Sequence, residues 1–220
     1  GDWSSDVCSS DLVAAGLGLK APISLRVNPE VDPRTHPYIA TGLRESKFGI
    51  AMEEAMPLYQ WAAGQDSLDI VGLDCHIGSQ ITELDPFTEA FELLLAMADQ
   101  LRSDGITLKH LDLGGGIGVT YQDEDPVSIE AYAASIQQML GNRPYALVFE
   151  PGRFIVANAA CLLTRVIYLK ENHGRHFAVV DAAMNDLLRP ALYDAWQAVY
   201  PVADDHPASP REYDIVGPVC

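Results

Sequence analysis

Between residues 23 and 150, short apolar runs alternate with longer amphipathic stretches, and this alternation constrains the fold more than any other feature. It is typical of βαβ units, in which a helix crosses over between two parallel strands. We predict strands over residues 23–28, 68–76, 108–113 and 146–150. We predict helices over residues 52–63, 86–103 and 128–140. The sequence therefore indicates an α/β chain with a parallel sheet.

The pattern changes after Arg153. Residues 160–170 and 176–181 are predicted to be β-rich, with a turn at residues 171–174, and a further strand is predicted at residues 213–216. Four βα units followed by β structure fit half of a (β/α)8 barrel joined to a β domain, or a small doubly wound sheet. The pattern alone leaves both open.

The two ends of the sequence look incomplete. Residues 1–12 are rich in Ser and Asp, resemble neither a signal peptide nor a helix start, and are similar to translated sequencing-adapter readthrough. We expect a chain truncated at both ends. Its predicted parts are a non-native leader at residues 1–12, a partial barrel at 13–157 and a partial C-terminal β domain at 158–220.

Composition excludes several classes of partner. The chain has 31 Asp and Glu against 14 Lys and Arg, a formal net charge of −17, so phosphate backbones and anionic lipids would repel it. Its longest apolar stretch, residues 154–163, is too short to span a bilayer. The four cysteines form no CxxC pair, which favours a reducing compartment and a cytoplasmic location. We expect neither nucleic acid nor membrane as a partner.

Unusual residues end or follow three of the predicted strands. The last residues of the second and fourth strands are His76 and Glu150, which are followed by Ser79 and Arg153, and glycines occupy residues 114–116 after the third strand. Functional residues of parallel sheets and barrels cluster at this carboxyl edge.

Each feature alone has a structural interpretation as well. The glycine run could bring backbone amides to a phosphate or could be a sharp turn, and it lacks the dinucleotide and P-loop fingerprints. Glu150 and Arg153 could form a structural salt bridge, and His76 could be a core histidine. Cys75 and His76 point to opposite faces of a strand, and no zinc spacing is present, so no metal site is predicted.

Together these residues suit a phosphorylated aromatic cofactor. His76 could stack on a ring, while Ser79, the glycine amides and Arg153 could hold a phosphate. Glu150 could hold a proton on a ring nitrogen, which makes the ring an electron sink.

Six ordered motifs between residues 23 and 220 carry a family resemblance. They are LRVNP at 25–29, SKFGI at 46–50, HIGSQI at 76–81, LDLGGGIG at 111–118, EPGR at 150–153 and LLRPALY at 187–193. In these the chain resembles the fold type III pyridoxal-phosphate decarboxylases, and among them the group that acts on diaminopimelate. The resemblance implies the C-terminal half of a (β/α)8 barrel that binds pyridoxal 5'-phosphate, followed by part of a β-rich domain. It also implies a homodimer with shared active sites.

The resemblance further implies roles for individual residues. His76 would stack on the pyridine ring and Glu150 would face its nitrogen. Cys220 would be the catalytic proton donor across the dimer. The residues around the phosphate would be Ser79, Gly115, Gly116, Gly152 and Arg153, and those that grip a substrate carboxylate would be Arg153, Arg189 and Tyr193. The implied reaction converts meso-2,6-diaminopimelate to L-lysine and CO2.

One family residue has no counterpart. The lysine that the family attaches to its cofactor lies on the first barrel strand, and none of Lys20, Lys47, Lys109 and Lys170 stands in that motif. We therefore expect this chain alone to be inactive. Two alternatives stay open: a related decarboxylase of ornithine, arginine or carboxynorspermidine, and a non-catalytic homologue that binds the cofactor.

Overall fold

The computed structural model describes residues 4–35, 47–203 and 211–219. The chain forms two compact units. One comprises Gly1–Val119 and Asp125–Ala157, and the other comprises Thr120–Glu124 and Asn158–Cys220.

The first unit is built on a parallel sheet. Its elements are α1 (Ser4–Leu17), β1 (Ala21–Asn28), β2 (Ile50–Ala51), α2 (Met52–Ala63), β3 (Leu68–Cys75), α3 (Asp85–Ser103), β4 (His110–Asp112), α4 (Ile129–Leu140), β5 (Ala146–Val148) and α5 (Gly152–Val156). The five strands lie in the order β2-β1-β3-β4-β5, and every neighbouring pair is parallel. β1, β3, β4 and β5 follow one another in sequence order, and the two-residue strand β2 lies on the other side of β1. The order 2-1-3-4-5 also occurs in doubly wound sheets, so strand order alone fits both architectures. The α/β fold class is confirmed.

One face of this sheet is buried under helices. Leu25, Leu73 and Leu111 on successive strands belong to the same core cluster as the apolar stripe of α3. That stripe repeats at three- and four-residue spacing, as the sequence predicts, and includes Phe91 and Leu94. Because side chains alternate along a strand, the neighbours of these leucines project from the other face.

The second unit is β-rich, as predicted. A three-stranded sheet has the order β6 (Val166–Asn172), β7 (Arg175–Val180) and β8 (Asp214–Val216), and a short helix α6 (Arg189–Tyr193) precedes β8. His173 and Gly174, both with positive φ, form the predicted turn between β6 and β7.

Several local predictions are wrong. The helix α1 begins at Ser4, within residues 1–12, where no helix start was predicted; Leu12, Ala14 and Ala15 in the same helix have high helix propensity. The strand predicted from residue 160 begins at Val166 instead, since Thr164 Oγ1 and the Arg165 amide donate to Asp181. The short elements β2, α5 and α6 were not predicted. None of the described helices is long and apolar enough to cross a bilayer.

Candidate functional site

The ends of β3 and β4 are joined through His76. Its Nδ1 accepts a hydrogen bond of 3.1 Å from the amide of Gly115. The carbonyl of His76 accepts a bond of 3.2 Å from Nη2 of Arg26 on β1. The imidazole and its backbone are therefore fixed by residues of two neighbouring strand ends.

The glycine run after β4 is also bonded to both neighbouring loops. The Ile81 amide donates to the Gly116 carbonyl at 2.9 Å, and the Gly118 amide donates to the Ile81 carbonyl at 2.9 Å. On the other side, the Glu150 amide donates to the Gly114 carbonyl at 2.7 Å. Three loops of the carboxyl edge are thus held together by backbone hydrogen bonds.

Arg153 and Ser79 connect the loops after β5 and β3 directly. The guanidinium donates to the Ser79 hydroxyl from Nη2 at 2.8 Å and from Nε at 3.2 Å. Both side chains are half-buried. A guanidinium beside a hydroxyl is a donor set suited to a phosphate group.

Only glycine fits at the centre of this edge. A Cβ on Gly115 would lie 2.1 Å from the Glu150 carbonyl oxygen, and one on Gly116 would lie 2.4 Å from the Gly78 carbonyl oxygen. Gly116 also has φ +105°. The run is a tight turn and at the same time allows the neighbouring loops to approach closely.

The glycine amides are mostly engaged by side chains, which the sequence did not indicate. The Gly114 amide donates to Asp112 Oδ1 at 2.8 Å, and the Gly115 amide donates to His76. Within the described part of the chain, the Gly116 amide has no acceptor. It is therefore the glycine amide in the run that can reach a bound anion.

Glu150 presents an exposed carboxylate at this edge. Among the described residues it forms no ion pair, so the structural salt bridge with Arg153 is not found. Gly152 is the first residue of α5, and Arg153 is the second.

A row of charged side chains on the face of the sheet opposite the buried leucines was not predicted. Arg26, Asp74 and Asp112 are in register on β1, β3 and β4, and alternation places them opposite the buried leucines. Asp74 Oδ1 is buried without a hydrogen-bond partner among the described residues. Charged residues inside apolar strands, as in LRVNP and GLDCH, are the sequence signal that could have identified this row.

This environment changes two pKa values. Burial raises the pKa of Asp74 to about 7, and the charge of Asp112 adds to the shift while Arg26 opposes it. Burial also lowers the pKa of His76, and the positive charge of Arg26 lowers it further. An imidazole that accepts at Nδ1 and resists protonation is neutral, with its proton on Nε2.

The other predicted side chains lie in the second unit. Arg189 Cζ is 5.3 Å from the ring centroid of Tyr193 and 5.6 Å from that of Tyr121. Tyr121 was not singled out from the sequence, because no local pattern connects it with Arg189. Cys220 lies outside the described residues. Among the described residues, no group of three or more His, Cys, Asp or Glu side chains is arranged to hold a metal ion.

The sequence of this chain is similar to those of known proteins. The sequence profile described as "Pyridoxal-dependent decarboxylase, pyridoxal binding domain" matches residues 11–157. Diaminopimelate decarboxylase from Pseudomonas aeruginosa is 59% identical over 208 residues, which cover 94% of this chain and 50% of the relative. The enzyme of the same name from Neisseria meningitidis is 53% identical over 208 residues, 94% of this chain and 51% of the relative.

A solved structure of an enzyme with the same name has a similar fold. Diaminopimelate decarboxylase from Helicobacter pylori in complex with L-lysine superposes with a TM-score of 0.91 at 41% identity. The match covers 99% of this chain and 54% of that one. The chain therefore spans about half the length of the curated relatives it matches.

Proposed function

Since this chain belongs to the pyridoxal-dependent decarboxylases, we propose that it forms about half of a diaminopimelate decarboxylase, which converts meso-2,6-diaminopimelate to L-lysine and CO2. The observation that carries the proposal is the convergence of three strand ends, in which Arg153 meets Ser79 and Gly115 meets His76. The relatives named diaminopimelate decarboxylase support the choice of substrate.

The residues at this edge fit pyridoxal phosphate. Arg153, Ser79 and the Gly116 amide are donors for its phosphate, and Gly115 keeps the loops close enough for them to act together. Gly152, at the start of α5, leaves open space beside Arg153. The proposal therefore uses a donor set that the fold already assembles.

The remaining side chains would orient the ring. The neutral His76 imidazole, fixed by Gly115, offers a flat surface on which the ring can stack. The exposed carboxylate of Glu150 can hold a proton on the ring nitrogen. When bound, pyridoxal phosphate would supply an electron-withdrawing ring that stabilises the electron pair left behind when CO2 departs.

Arg189 and Tyr193 would grip the carboxylate that the substrate retains. A guanidinium binds a carboxylate through parallel hydrogen bonds, and the Nε of Arg189 is buried without a partner among the described residues. Arg153 would contribute to the same task, and Cys220 would donate the proton. A homodimer in the cytoplasm completes the proposal, with the cysteine spacing as support for the location.

We expect the 220-residue chain alone to release no CO2, because none of its lysines stands in the cofactor-attachment motif. The test uses the completed enzyme, obtained by extending the gene in genomic DNA and supplied with pyridoxal phosphate. We expect L-lysine to form from meso-diaminopimelate, and no product from ornithine, arginine or carboxynorspermidine.

Two results would overturn the proposal. Decarboxylation of one of these other substrates, but not of diaminopimelate, would assign the chain to a related decarboxylase. A completed gene without an upstream lysine, whose product binds pyridoxal phosphate but turns over no substrate, would identify a non-catalytic homologue.

A further inference from the structure

Arg189 is held by two aromatic rings of the second unit. Its Cζ lies 5.3 Å from the ring centroid of Tyr193 and 5.6 Å from that of Tyr121, both within cation–π range. Its Nε is buried without a hydrogen-bond partner among the described residues. When an aromatic ring covers the face of a guanidinium, the guanidinium can still donate hydrogen bonds from the N–H groups in its own plane.

The two tyrosines reach Arg189 in different ways. Tyr193 follows Arg189 by four residues in α6, so its contact is local to the helix. Tyr121 belongs to a distant segment, Thr120–Glu124, which groups with the second unit although its neighbours in sequence belong to the first. The contact with Tyr121 therefore depends on the conformation of that segment.

Glu124 fixes the conformation of this segment. Its Oε2 accepts hydrogen bonds from the amides of Tyr121 at 2.9 Å and Gln122 at 2.8 Å, and its carbonyl accepts from Thr120 Oγ1 at 3.0 Å. These backbone donors lower the pKa of Glu124, so its carboxylate stays charged and keeps both bonds. The backbone that carries Tyr121 is thus closed into a compact loop.

The geometry points to Tyr121 as a positioning residue for the substrate carboxylate: with Tyr193 it holds Arg189 so that the guanidinium edge bearing Nε faces a two-oxygen anion. This inference rests on the proposed function and deepens it. It assigns to Tyr121 a part in selecting ligands that carry a carboxylate over ligands that lack one. Without the Tyr121 ring, Arg189 would sample more rotamers and lose order before binding.

The test compares two ligands in the completed enzyme by isothermal titration calorimetry. L-lysine carries the carboxylate, and cadaverine is the same diamine without it. We expect Tyr121→Leu to weaken L-lysine binding about 3- to 10-fold and to leave cadaverine binding unchanged. Tyr121→Phe keeps the ring and should restore L-lysine binding. Tyr200→Leu makes the same change at an exposed tyrosine and is the matched control.

Two further variants separate positioning from folding. In an Arg189→Leu background, Tyr121→Leu should cause no additional loss of L-lysine binding, because its effect passes through Arg189. Glu124→Ala removes the acceptor of the Tyr121 and Gln122 amides and leaves the aromatic ring in place. It should weaken L-lysine binding selectively, which keeps the test decisive if Tyr121→Leu does not fold.

These experiments separate failure of the inference about Tyr121 from failure of the proposed function. If Tyr121→Leu and Glu124→Ala both bind L-lysine like the unaltered enzyme, or weaken the binding of both ligands equally, the inference is wrong. If the unaltered enzyme itself neither binds L-lysine nor acts on diaminopimelate, the proposed function is wrong instead.

Discussion

The guanidinium of Arg153 donates two hydrogen bonds to the hydroxyl oxygen of Ser79, at 2.8 Å from Nη2 and 3.2 Å from Nε. The two residues follow different strands, so this pair joins the loops after β5 and β3. The same donors can turn to a phosphate oxygen without large movement of the backbone, because both side chains already lie at one point of the sheet edge.

Ser79→Ala should weaken pyridoxal phosphate binding. Loss of one hydrogen bond of ordinary strength raises the dissociation constant about 2- to 10-fold. Arg153→Lys should raise it more, because an ammonium cannot reproduce the planar donor pair. The measurement is an absorbance titration with the cofactor. Ser128→Ala removes a hydroxyl that caps α4 in the same unit, and it should leave the dissociation constant unchanged. An equal effect of all three variants would contradict this prediction.

Gly115→Ala should disrupt the site, whereas Gly16→Ala, in α1, should be tolerated. A Cβ at Gly115 would lie 2.1 Å from the Glu150 carbonyl oxygen, which belongs to the backbone and cannot rotate away. We expect a loss of about 1–3 kcal/mol in the free energy of unfolding and a parallel loss of cofactor binding. A Cβ at Gly16 meets nothing within 4 Å. Chemical denaturation and cofactor titration check both variants, and equal stability of the two would refute the steric argument.

Much of the fold could be predicted from sequence because apolar periodicity records which face of an element is buried. The helix over Met52–Ala63 was predicted with its observed bounds. The short helices α5 and α6, of five residues each, were missed because so few residues show no periodicity. The order of the strands is a tertiary property and required the structure.

The sequence indicated which residues to expect in the candidate site, but it did not indicate which of them contact one another. Unusual residues at strand ends indicated His76, Ser79 and Glu150, since parallel strands bring their carboxyl ends together. No sequence pattern shows that the Gly115 amide donates to His76 instead of staying bare. Nor does any local pattern show that Tyr121 reaches Arg189, because that contact depends on a distant loop.

His76 should be neutral at pH 7 with its proton on Nε2. Its Nδ1 accepts from Gly115, and burial lowers its pKa below the ordinary value of 6.5. The folded state therefore resists protonation while the unfolded state accepts it. The free energy of unfolding should have its full value above pH 6.5 and should fall as the pH drops towards the folded-state pKa of His76.

Nitrogen NMR of labelled histidine can test this protonation state directly. An unprotonated Nδ1 and a protonated Nε2 are expected for His76. His76→Gln keeps an acceptor for the Gly115 amide but does not titrate, so this part of the pH dependence should disappear. A proton found on Nδ1 of His76 at pH 7 would contradict the assignment.

Tyr59→Phe should destabilise the first unit. The Tyr59 hydroxyl donates to the Gly72 carbonyl at 2.7 Å and accepts from the Leu25 amide at 3.3 Å, next to the register shift between β1 and β3. The phenylalanine ring would leave two buried backbone groups unpaired, at a cost of about 1–3 kcal/mol. Tyr200→Phe removes a hydroxyl from an exposed side chain and should change the free energy of unfolding by less than about 0.5 kcal/mol. Similar denaturation midpoints for the two variants would refute the bridging role.

Asp74→Asn should stabilise the protein at pH 8 and have little effect near pH 3. Burial and the charge of Asp112 raise the pKa of Asp74 from 3.8 to about 7 in the folded state. Between these values the folded state binds a proton that the unfolded state lacks, so stability falls as the pH rises and the penalty is complete above pH 7. Asparagine is neutral at every pH and therefore carries no such penalty. Solvent screening of this half-buried side chain reduces the expected gain to about 1–2 kcal/mol.

Denaturant titrations at both pH values measure the effect of Asp74→Asn. Asp69→Asn, on the same strand, removes a carboxylate from an exposed ion pair with Lys109 and serves as the matched control. It should change the free energy of unfolding by less than about 1 kcal/mol and should give no gain at pH 8. If Asp74→Asn is less stable than the unaltered protein at pH 8, a favourable interaction stabilises the half-buried carboxylate of Asp74, and the raised pKa described above is wrong.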